Sequence, residues 1–475
     1  MEKILRNPSS ILVSILMLLS MPTLLNSQES DEETIRQIFD VALTEGDCYE
    51  NLRTLCKDIG GRLSGSKEAE RAVEWGKTLM ESMGLDTVFL QEVMVPRWER
   101  GSQEIGILKT SNGQGHEVPV CALGTSVATP DEGITAEVIE VFALEELEAL
   151  GREKIAGKIV FYNRPMEPKL ISTFHAYGGC VDQRAQGASE AAQHGALAVL
   201  VRSMNLRADD LPHTGVQRYD EGVVKIPAAA ISTNGADFLS KQLKKHPKLT
   251  FHLKMDCNNF PDVLSYNVIG EIKGSLYPEQ IIVVSGHLDS WDTGEGAHDD
   301  GAGVVQSIEV LNLFNKLKIK PEMTLRCVLW MNEENGARGA VKYAKVAKEK
   351  KEKHFAAIES DRGGFTPRGF TVDGTSPVRE TCLKKMQAWA PLLQPYNLHK
   401  FEHGYSGVDI NHLKDLDVAL IGFVPDSQRY FDHHHAENDV FEAVNKRELE
   451  LGAASMTALV YLLSKYGIEI KSETK

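Results

Sequence analysis

The stretch Ile281–Gly303 places His and acidic side chains directly after a short apolar run. The run Ile281–Val284 is rich in β-branched residues, which predicts a strand buried on both faces. Polar side chains able to bind metal then follow at positions 287, 289, 292, 295, 298, 299 and 300. The periodic apolar segment Val304–Phe314 predicts a helix after them. Open α/β sheets bind ligands where a strand ends and a helix begins, so we interpret this stretch as half of a metal site.

Three more polar clusters each follow a predicted apolar strand. The strands at 324–331, 355–358 and 418–423 precede the clusters Asn332–Gly336, Glu359–Gly364 and Phe431–Asp439. Taken singly, such clusters are usually His–Asp hydrogen bonds, solvated acidic surface or polar loops. Four of them at strand ends favour one site, because the carboxyl ends of parallel strands share one edge of a sheet. Two imidazoles and three carboxylates drawn from these clusters would suit two zinc ions.

Length and composition indicate a globular protein of more than one domain. At about 150 residues per domain, 475 residues predict two or three domains. The 42% hydrophobic and 25% charged fractions are typical of globular chains. The net charge of −15 argues against a nucleic-acid partner, because such proteins usually carry a basic face. The seven cysteines lack CxxC spacing, which argues against a cysteine zinc site and leaves Cys48 and Cys56 as the favoured local pair.

The N-terminus has the order of a secretory signal. Lys3 and Arg6 precede an apolar run at residues 11–19, and Pro22 and Ser27 follow it. We predict a signal peptide over residues 1–27 and a secreted or periplasmic mature chain. The apolar run is shorter than the about 20 residues that a membrane span needs, so no stable anchor is expected after cleavage. An uncleaved N-terminal anchor is the alternative.

The rest of the chain alternates between helical and β-type patterns. Helical periodicity is found at residues 31–43, 49–59 and 67–83, and a strand is predicted at 86–95. From residue 118 the pattern changes to short β-type runs with one predicted helix, 188–194. Helices and strands alternate again from residue 265 to a closing helix at 445–465. We predict an α/β fold with a mostly parallel mixed sheet flanked by helices, formed by residues 28–117 and 262–475, and an inserted mixed β/α domain at 118–261.

The four motifs together resemble a known family. GHLDS…DDGAG, NEENGARGA, ESDRGG and HHHAEND occur in the order found in di-zinc exopeptidases of the leucyl aminopeptidase and plasma glutamate carboxypeptidase type. The resemblance covers nearly all of the mature chain, includes the early RLSGS segment and is closest to the carboxypeptidase branch. The inserted segment, with GKIVFYNRP, GASEAAQHGALAVLVRS and IPAAAIS, is similar to a protease-associated domain. The resemblance implies a zinc-exopeptidase fold of the phosphorylase/hydrolase-like type.

The resemblance also implies a ligand set for two zinc ions. His287 and Asp361 would hold one ion, and Glu334 and His435 would hold the other. Asp299 would bridge the two ions. The family's last ligand lies four residues before an Asp, which selects His435 among the three consecutive histidines.

Three further features are implied by the same resemblance. Glu333 would be the general base, and Asp289 would be a carboxylate that orients His287. A cis peptide would join Asp299 to Asp300. His298, whose position is variable in the family, is expected not to bind metal.

The sequence specifies the residues that contact the substrate less closely than it specifies the metal ligands. The loop His403–Asp409 is our candidate pocket wall, with Tyr405 and Ser406 as substrate contacts and His434 as a third; an ordinary turn is the alternative. In this loop Gly407 replaces the Asp of the Ser-Asp pair common among the aminopeptidases. The chain is therefore expected to hydrolyse dipeptides or release terminal residues from short peptides, with a possible homodimer as its assembly. The alternatives are an aminopeptidase of the same family, a metal-free receptor or scaffold and a single-zinc cyclising transferase.

Overall fold

The computed structural model of the protein describes residues 31–110 and 114–467. The predicted signal peptide, residues 1–27, lies outside the described residues. Within these ranges the chain forms two eight-stranded sheets, each with its own helices and hydrophobic core. None of the helices in these ranges is both long and apolar enough to cross a membrane.

The first sheet carries the predicted metal ligands at its strand ends. Its strands are β1 (Thr87–Glu99), β10 (Asn258–Ile272), β11 (Tyr277–His287), β12 (Met323–Trp330), β13 (Lys353–Glu359), β14 (Pro367–Asp373), β15 (Lys400–His403) and β16 (Ala419–Pro425). Their order in space is β1-β10-β12-β11-β13-β16-β14-β15. The central strands β12, β11, β13 and β16 are parallel, whereas β1, β10 and β14 pair antiparallel with their inner neighbours. The predicted mixed sheet is confirmed.

Helices cover both faces of this sheet. They are α1 (residues 31–45), α2 (Cys48–Thr54), α3 (Lys67–Ser82), α9 (Ala302–Lys316), α10 (Arg338–Lys350), α11 (Ser376–Leu393) and α12 (Lys446–Tyr466). Ile282 and Val284 pack in the core shared with α9 and α12, while Ile281 and Val283 pack in a second core shared with α10. Because alternate side chains of β11 are buried on opposite faces, the strand is apolar throughout.

The central position of β11 decides where the polar residues meet. It pairs in parallel with β12 on one side and with β13 on the other, and β16 lies beyond β13. In this register His287 pairs with Trp330, the last residue of β12, and Ser285 pairs with Glu359, the last residue of β13. The loops after these parallel strands therefore begin along one edge of the sheet.

The second sheet forms most of the insertion. Its strands are β2 (Glu104–Lys109), β3 (Gly115–Glu117), β4 (Val120–Ala122), β5 (Ile134–Val141), β6 (Ile159–Tyr162), β7 (Ala198–Arg202), β8 (Ala228–Ile231) and β9 (Thr250–Met255), in the spatial order β3-β2-β9-β5-β6-β7-β8-β4. Its helices are α4 (Glu145–Ile155), α5 (Thr173–Gly178), α6 (Asp182–Ala185), α7 (Gly187–Gln193) and α8 (Thr233–Lys245). The mixture of strands and helices agrees with the predicted β/α character.

The limits of this sheet differ from the predicted insertion of residues 118–261. β2 pairs antiparallel with β3 and β9, so residues 104–109 and 115–117 belong to the second sheet, and β10 already belongs to the first sheet at Asn258. The sequence also indicates one helix where the described residues form five. Local pattern misassigns β2 because its membership is decided by pairing with β9, which lies far along the chain.

The cysteines do not pair. All seven are buried and free, so the favoured Cys48–Cys56 disulfide is wrong. Cys48 lies in the core of the first sheet. Burial raises the pKa of the Cys56 thiol to about 12. Both cysteines therefore act as small buried hydrophobic residues.

Candidate metal centre and cleft

His287, the last residue of β11, is fixed from two sides. Its ring Nδ1 donates to the main-chain oxygen of Asp289 at 2.9 Å, and its main-chain N–H donates to Oδ2 of Asp300 at 3.0 Å. The carboxylate of Asp289 lies beside the ring without a hydrogen bond to it, since its Oδ1 is 3.9 Å from that ring nitrogen. It accepts hydrogen bonds from the main-chain N–H groups of Asn332 and Glu333 instead. Asp289 therefore orients His287 through its carbonyl and ties the loop after β12 to β11 with its carboxylate.

Asp299 lies in the tight helical turn Ala297–Gly301 that leads into α9. The carboxylate of Asp439 holds this turn, since it accepts hydrogen bonds from the N–H groups of His298 at 2.8 Å and Asp299 at 3.1 Å. The peptide between Asp299 and Asp300 is cis, as the resemblance implies. The turn directs the Asp299 carboxylate between the loops that follow β11 and β16.

The early RLSGS segment supports the same region through a buried arginine. The guanidinium of Arg62 donates to the main-chain oxygens of Leu288 at 2.6 Å, Glu295 at 2.8 Å and Gly296 at 3.0 Å. Burial lowers the pKa of Arg62 and outweighs the nearby acidic groups. Because one rigid side chain binds both ends of the segment between β11 and the Asp299 turn, the segment has a defined path.

Five side chains from four strand ends meet in one cluster. Nε2 of His287 lies 3.2 Å from Oδ1 of Asp299 and 3.6 Å from Oδ1 of Asp361. Nε2 of His435 lies 3.3 Å from Oδ2 of Asp299 and 3.1 Å from Oε2 of Glu334. Two groups, each built around one imidazole, therefore share Asp299, whose two oxygens face opposite imidazoles.

The three consecutive histidines occupy different environments. Nε2 of His434 lies 3.8 Å from Oδ2 of Asp299, and its ring stacks on that of His435 with centroids 3.5 Å apart. Nδ1 of His433 lies 3.2 Å from the main-chain oxygen of Asn438, away from the cluster. Asp299, His434 and His435 can also be grouped around one cation, with ligand atoms within 4.8 Å of one another. Both His434 and His435 therefore lie beside Asp299, but of the two only His435 also contacts Glu334 in the loop after β12.

The variable residue His298 is fully engaged elsewhere. Its Nδ1 accepts from the N–H of Gly364 at 3.1 Å, and its Nε2 lies 3.3 Å from the main-chain oxygen of Ala443. Its ring stacks on Phe365 at a centroid distance of 4.1 Å. With both nitrogens occupied, His298 has no lone pair for a metal.

The charge balance of the cluster suits a divalent cation. Burial and the neighbouring Asp299 carboxylate raise the pKa of Glu334 to about 7, and burial raises the pKa of Asp361. Burial opposes ionisation of Asp299, but the imidazoles of His287 and His435 hold its pKa well below the usual value. Its buried Oδ2 also lacks a well-formed hydrogen bond among the described residues. Crowded carboxylates with an unsatisfied oxygen are the environment that a bound cation stabilises.

A cleft of about 1150 Å³ opens over this cluster between the two sheets. Glu333 lines it, together with the three predicted substrate contacts Tyr405, Ser406 and His434. Tyr405 is 53% exposed, and the hydroxyl of Ser406 is buried without a hydrogen-bond partner among the described residues. Gly407 has a φ of 143°, and a Cβ there would lie 2.2 Å from the Glu359 carboxyl. The departure from a Ser-Asp pair therefore has a steric cause.

The insertion contributes residues that the sequence analysis missed. The main-chain oxygen of Thr214 lies 3.3 Å from Nδ1 of His435, and the N–H of Thr214 donates to the main-chain oxygen of His435. Arg184 donates to the same Thr214 oxygen and to the hydroxyl of Tyr177, which packs edge-on against His434. No motif marks these positions, because they are more than 200 residues from the histidines in sequence. The second sheet thus orients the His435 imidazole from the far side of the cleft.

Comparison with known sequences identifies the family of this chain. The model of peptidase family M28 matches residues 267–460. Carboxypeptidase Q of Bos taurus is 38% identical over 416 residues, covering 88% of this chain and 85% of the bovine protein. Carboxypeptidase Q of Homo sapiens is 39% identical over 417 residues, with the same coverage.

Solved structures give the same result for the fold. A peptidase M28 precursor from Shewanella amazonensis is 31% identical, with a TM-score of 0.87, and the match covers 94% of this chain and 99% of that one. A zinc aminopeptidase from Bacillus subtilis shares the fold at 20% identity and a TM-score of 0.63, over 90% of this chain and 97% of that chain. The chain therefore belongs to peptidase family M28 and is a metallo-exopeptidase homologous to carboxypeptidase Q.

Proposed function

We propose that this protein is a di-zinc exopeptidase that hydrolyses dipeptides or removes terminal residues from short peptides. The proposal rests chiefly on one observation: the two carboxylate oxygens of Asp299 lie 3.2 Å and 3.3 Å from the imidazoles of His287 and His435. A carboxylate shared in this way is suited to bridging two cations. His287 and Asp361 would hold one zinc ion, Glu334 and His435 would hold the other, and Asp299 would bridge them.

Glu333 is the proposed general base. Its main-chain N–H is tied to Asp289, while its side chain lines the cleft beside the ligand residues. Burial, together with the carboxylates of Asp361 and Glu334, raises the pKa of Glu333 well above its usual value. The bound zinc ions would supply a water of lowered pKa and stabilise negative charge on the peptide carbonyl. Glu333 would take the proton of that water and pass a proton to the leaving amine.

The shape and lining of the cleft indicate which substrates the protein would accept. The cleft is closed on one side by the second sheet, which favours short peptides over long chains. Tyr405, Ser406 and His434 would contact the substrate, and Gly407 leaves no room for the acidic side chain of the Ser-Asp pair. The absence of that acidic side chain and the sequence identity of 38–39% to proteins called carboxypeptidase Q favour dipeptidase or carboxypeptidase activity over aminopeptidase activity.

Three substrates test this proposal: a free dipeptide, an N-acetylated dipeptide and an amino-acid nitroanilide. We expect the zinc-loaded protein to hydrolyse the free dipeptide at least about tenfold faster than the nitroanilide. Faster release of nitroaniline would establish the aminopeptidase instead, and cleavage of the acetylated dipeptide would establish a carboxypeptidase that ignores the amine. A purified protein that binds no zinc and cleaves none of the three would be a scaffold.

Zinc affinity should increase with pH. Burial alone would lower the pKa of His435, but the Glu334 and Asp299 carboxylates raise it to about 9. At pH 7 the zinc-free protein therefore carries a proton on His435 that zinc must displace, because only the neutral imidazole binds metal. Below the folded pKa of His435 each pH unit should change affinity at least about tenfold, and Glu334, whose pKa is about 7, must also lose its proton. Binding should therefore be at least about 100-fold weaker at pH 6 than at pH 8. Competition against a chromogenic chelator at both pH values checks this, and equal affinities would contradict it.

The remaining features of the proposal concern export and assembly. The residues 1–27 would act as a signal peptide that directs the chain to the periplasm or the exterior. The second sheet and its helices would be a protease-associated domain, and a homodimer is a possible assembly.

A further inference from the structure

Arg362 lies at the point where the two sheets meet over the metal cluster. It directly follows Asp361 and lines the cleft. Its Nη2 donates to the main-chain oxygen of Tyr405 at 2.6 Å, and its guanidinium lies 5.3 Å from the ring centroid of Phe174 in α5. One contact comes from the loop of the first sheet and the other from the insertion. The guanidinium is therefore held in position by both walls of the cleft.

Arg362 differs from Lys400, Arg338 and Arg184, three other cations that line the cleft. Lys400 is paired with Glu402 at 3.0 Å, and Arg338 is paired with Asp262. The guanidinium of Arg184 donates to the insertion itself. Among the described residues, Arg362 has no carboxylate within ion-pair distance and only one hydrogen-bond acceptor, the Tyr405 oxygen.

An arginine in this condition is suited to binding an anion. The half-buried guanidinium of Arg362 has lost part of its hydration. Nε and Nη1 have no acceptor among the described residues, and each shares an edge of the guanidinium with Nη2. Because Tyr405 takes one of the two N–H groups of Nη2, one of these edges remains to bind a carboxylate through two parallel hydrogen bonds. The side chain is thus preorganised for a planar anion in the cleft.

The substrate of an exopeptidase carries such an anion close to the bond that breaks. In a dipeptide, the carbon of the α-carboxylate lies about 2.5 Å from the scissile nitrogen, a distance set by the N–Cα and Cα–C bonds. The carboxylate must therefore lie near the proposed base Glu333, whose negative charge would repel it. A cation beside the ligand Asp361 offsets this repulsion.

We propose that Arg362 binds the free α-carboxylate of the substrate and so makes the site selective for dipeptides and for C-terminal residues. The proposal rests on the proposed exopeptidase function and adds the residue that reads the carboxyl end. Tyr405 and Phe174 position the guanidinium, which gives the insertion a part in substrate selection.

The test compares a dipeptide with the same dipeptide as its C-terminal amide. In the zinc-loaded protein, Arg362→Gln should lower kcat/KM for the free acid about 100-fold and change the value for the amide less than about threefold. Arg362→Lys keeps the charge but loses the forked geometry, so it should lose about tenfold on the acid alone. Lys400→Gln removes another cation of the cleft that is already paired, and it should leave the ratio of acid to amide unchanged.

A binding measurement separates the two proposals. Calorimetric titration of the zinc-loaded Glu333→Gln variant with the free dipeptide should give a Kd that weakens about 100-fold when Arg362→Gln is added. Equal losses on acid and amide, a wild-type protein indifferent to the carboxylate, or an unchanged Kd would each overturn the role of Arg362. A wild-type protein that hydrolyses neither substrate yet binds the acid through Arg362 would overturn the proposed exopeptidase function alone.

Discussion

Replacing Glu333 with Gln is expected to lower kcat on a dipeptide by about 10²–10⁴-fold while zinc binding is retained. The amide has nearly the same shape as the carboxylate but cannot accept the proton of the attacking water. Glu333 is not one of the five proposed ligands, so its charge is not needed to hold the metal. Steady-state kinetics and zinc content measured by mass spectrometry on the same preparation check both parts.

A matched control is available on the surface of the same domain. Glu349 is exposed on α10, and Glu349→Gln should leave kcat and zinc content unchanged. A Glu333→Gln protein with near wild-type kcat would remove Glu333 from the role of general base. Loss of zinc from that variant would instead make Glu333 a ligand.

Replacing Asp299 with Asn is expected to remove at least one of the two zinc ions and to lower kcat by about 10³-fold or more. The carboxylate faces both imidazoles, and an amide offers one weak oxygen ligand where two anionic oxygens are needed. Loss of one ion would remove one of the two cations that activate the water and stabilise the developing negative charge, and loss of both would return the pKa of the water from about 7 to about 15.7. Zinc stoichiometry after dialysis and kcat at saturating dipeptide are the measurements.

The control for this variant is an Asp→Asn change outside the cleft. Asp237 lies on α8, where its side chain is 67% exposed and pairs with Arg202. Asp237→Asn should retain both zinc ions and full kcat. If Asp299→Asn bound two zinc ions as tightly as the wild type, the bridging role of Asp299 would be excluded.

Local patterns were sufficient to predict the framework of the first sheet. β11 is apolar throughout because both of its faces are buried, so it could be recognised from four consecutive residues, Ile281–Val284. The helix after Gly303 and the closing helix α12 could also be recognised from their apolar residues, because both helices are largely buried. The short edge strands β2 and β3 carry little such signal, because long-range pairing decides which sheet they join.

In the candidate site, too, the residues that meet could be predicted from the sequence, whereas their hydrogen-bond partners could not. The rule that parallel strand ends share an edge predicted that the four polar clusters would meet. The family resemblance then selected five residues within them: His287, Asp299, Glu334, Asp361 and His435. The detailed partners did not follow from that rule. Asp289 was expected to orient His287 with its carboxylate, yet the ring is held by the Asp289 carbonyl and the carboxylate binds main-chain N–H groups.

By itself, the sequence determined the residue types at the strand ends, the alternation of helices and strands, and the family to which these motifs belong. These properties are encoded in residues near one another along the chain, where periodicity and spacing can be read directly. The tertiary structure alone decided that the insertion reaches His435 through Thr214, and that Arg362 faces the cleft without a paired carboxylate. Those contacts join segments that are distant in sequence, and the docking of the second sheet over the first creates them.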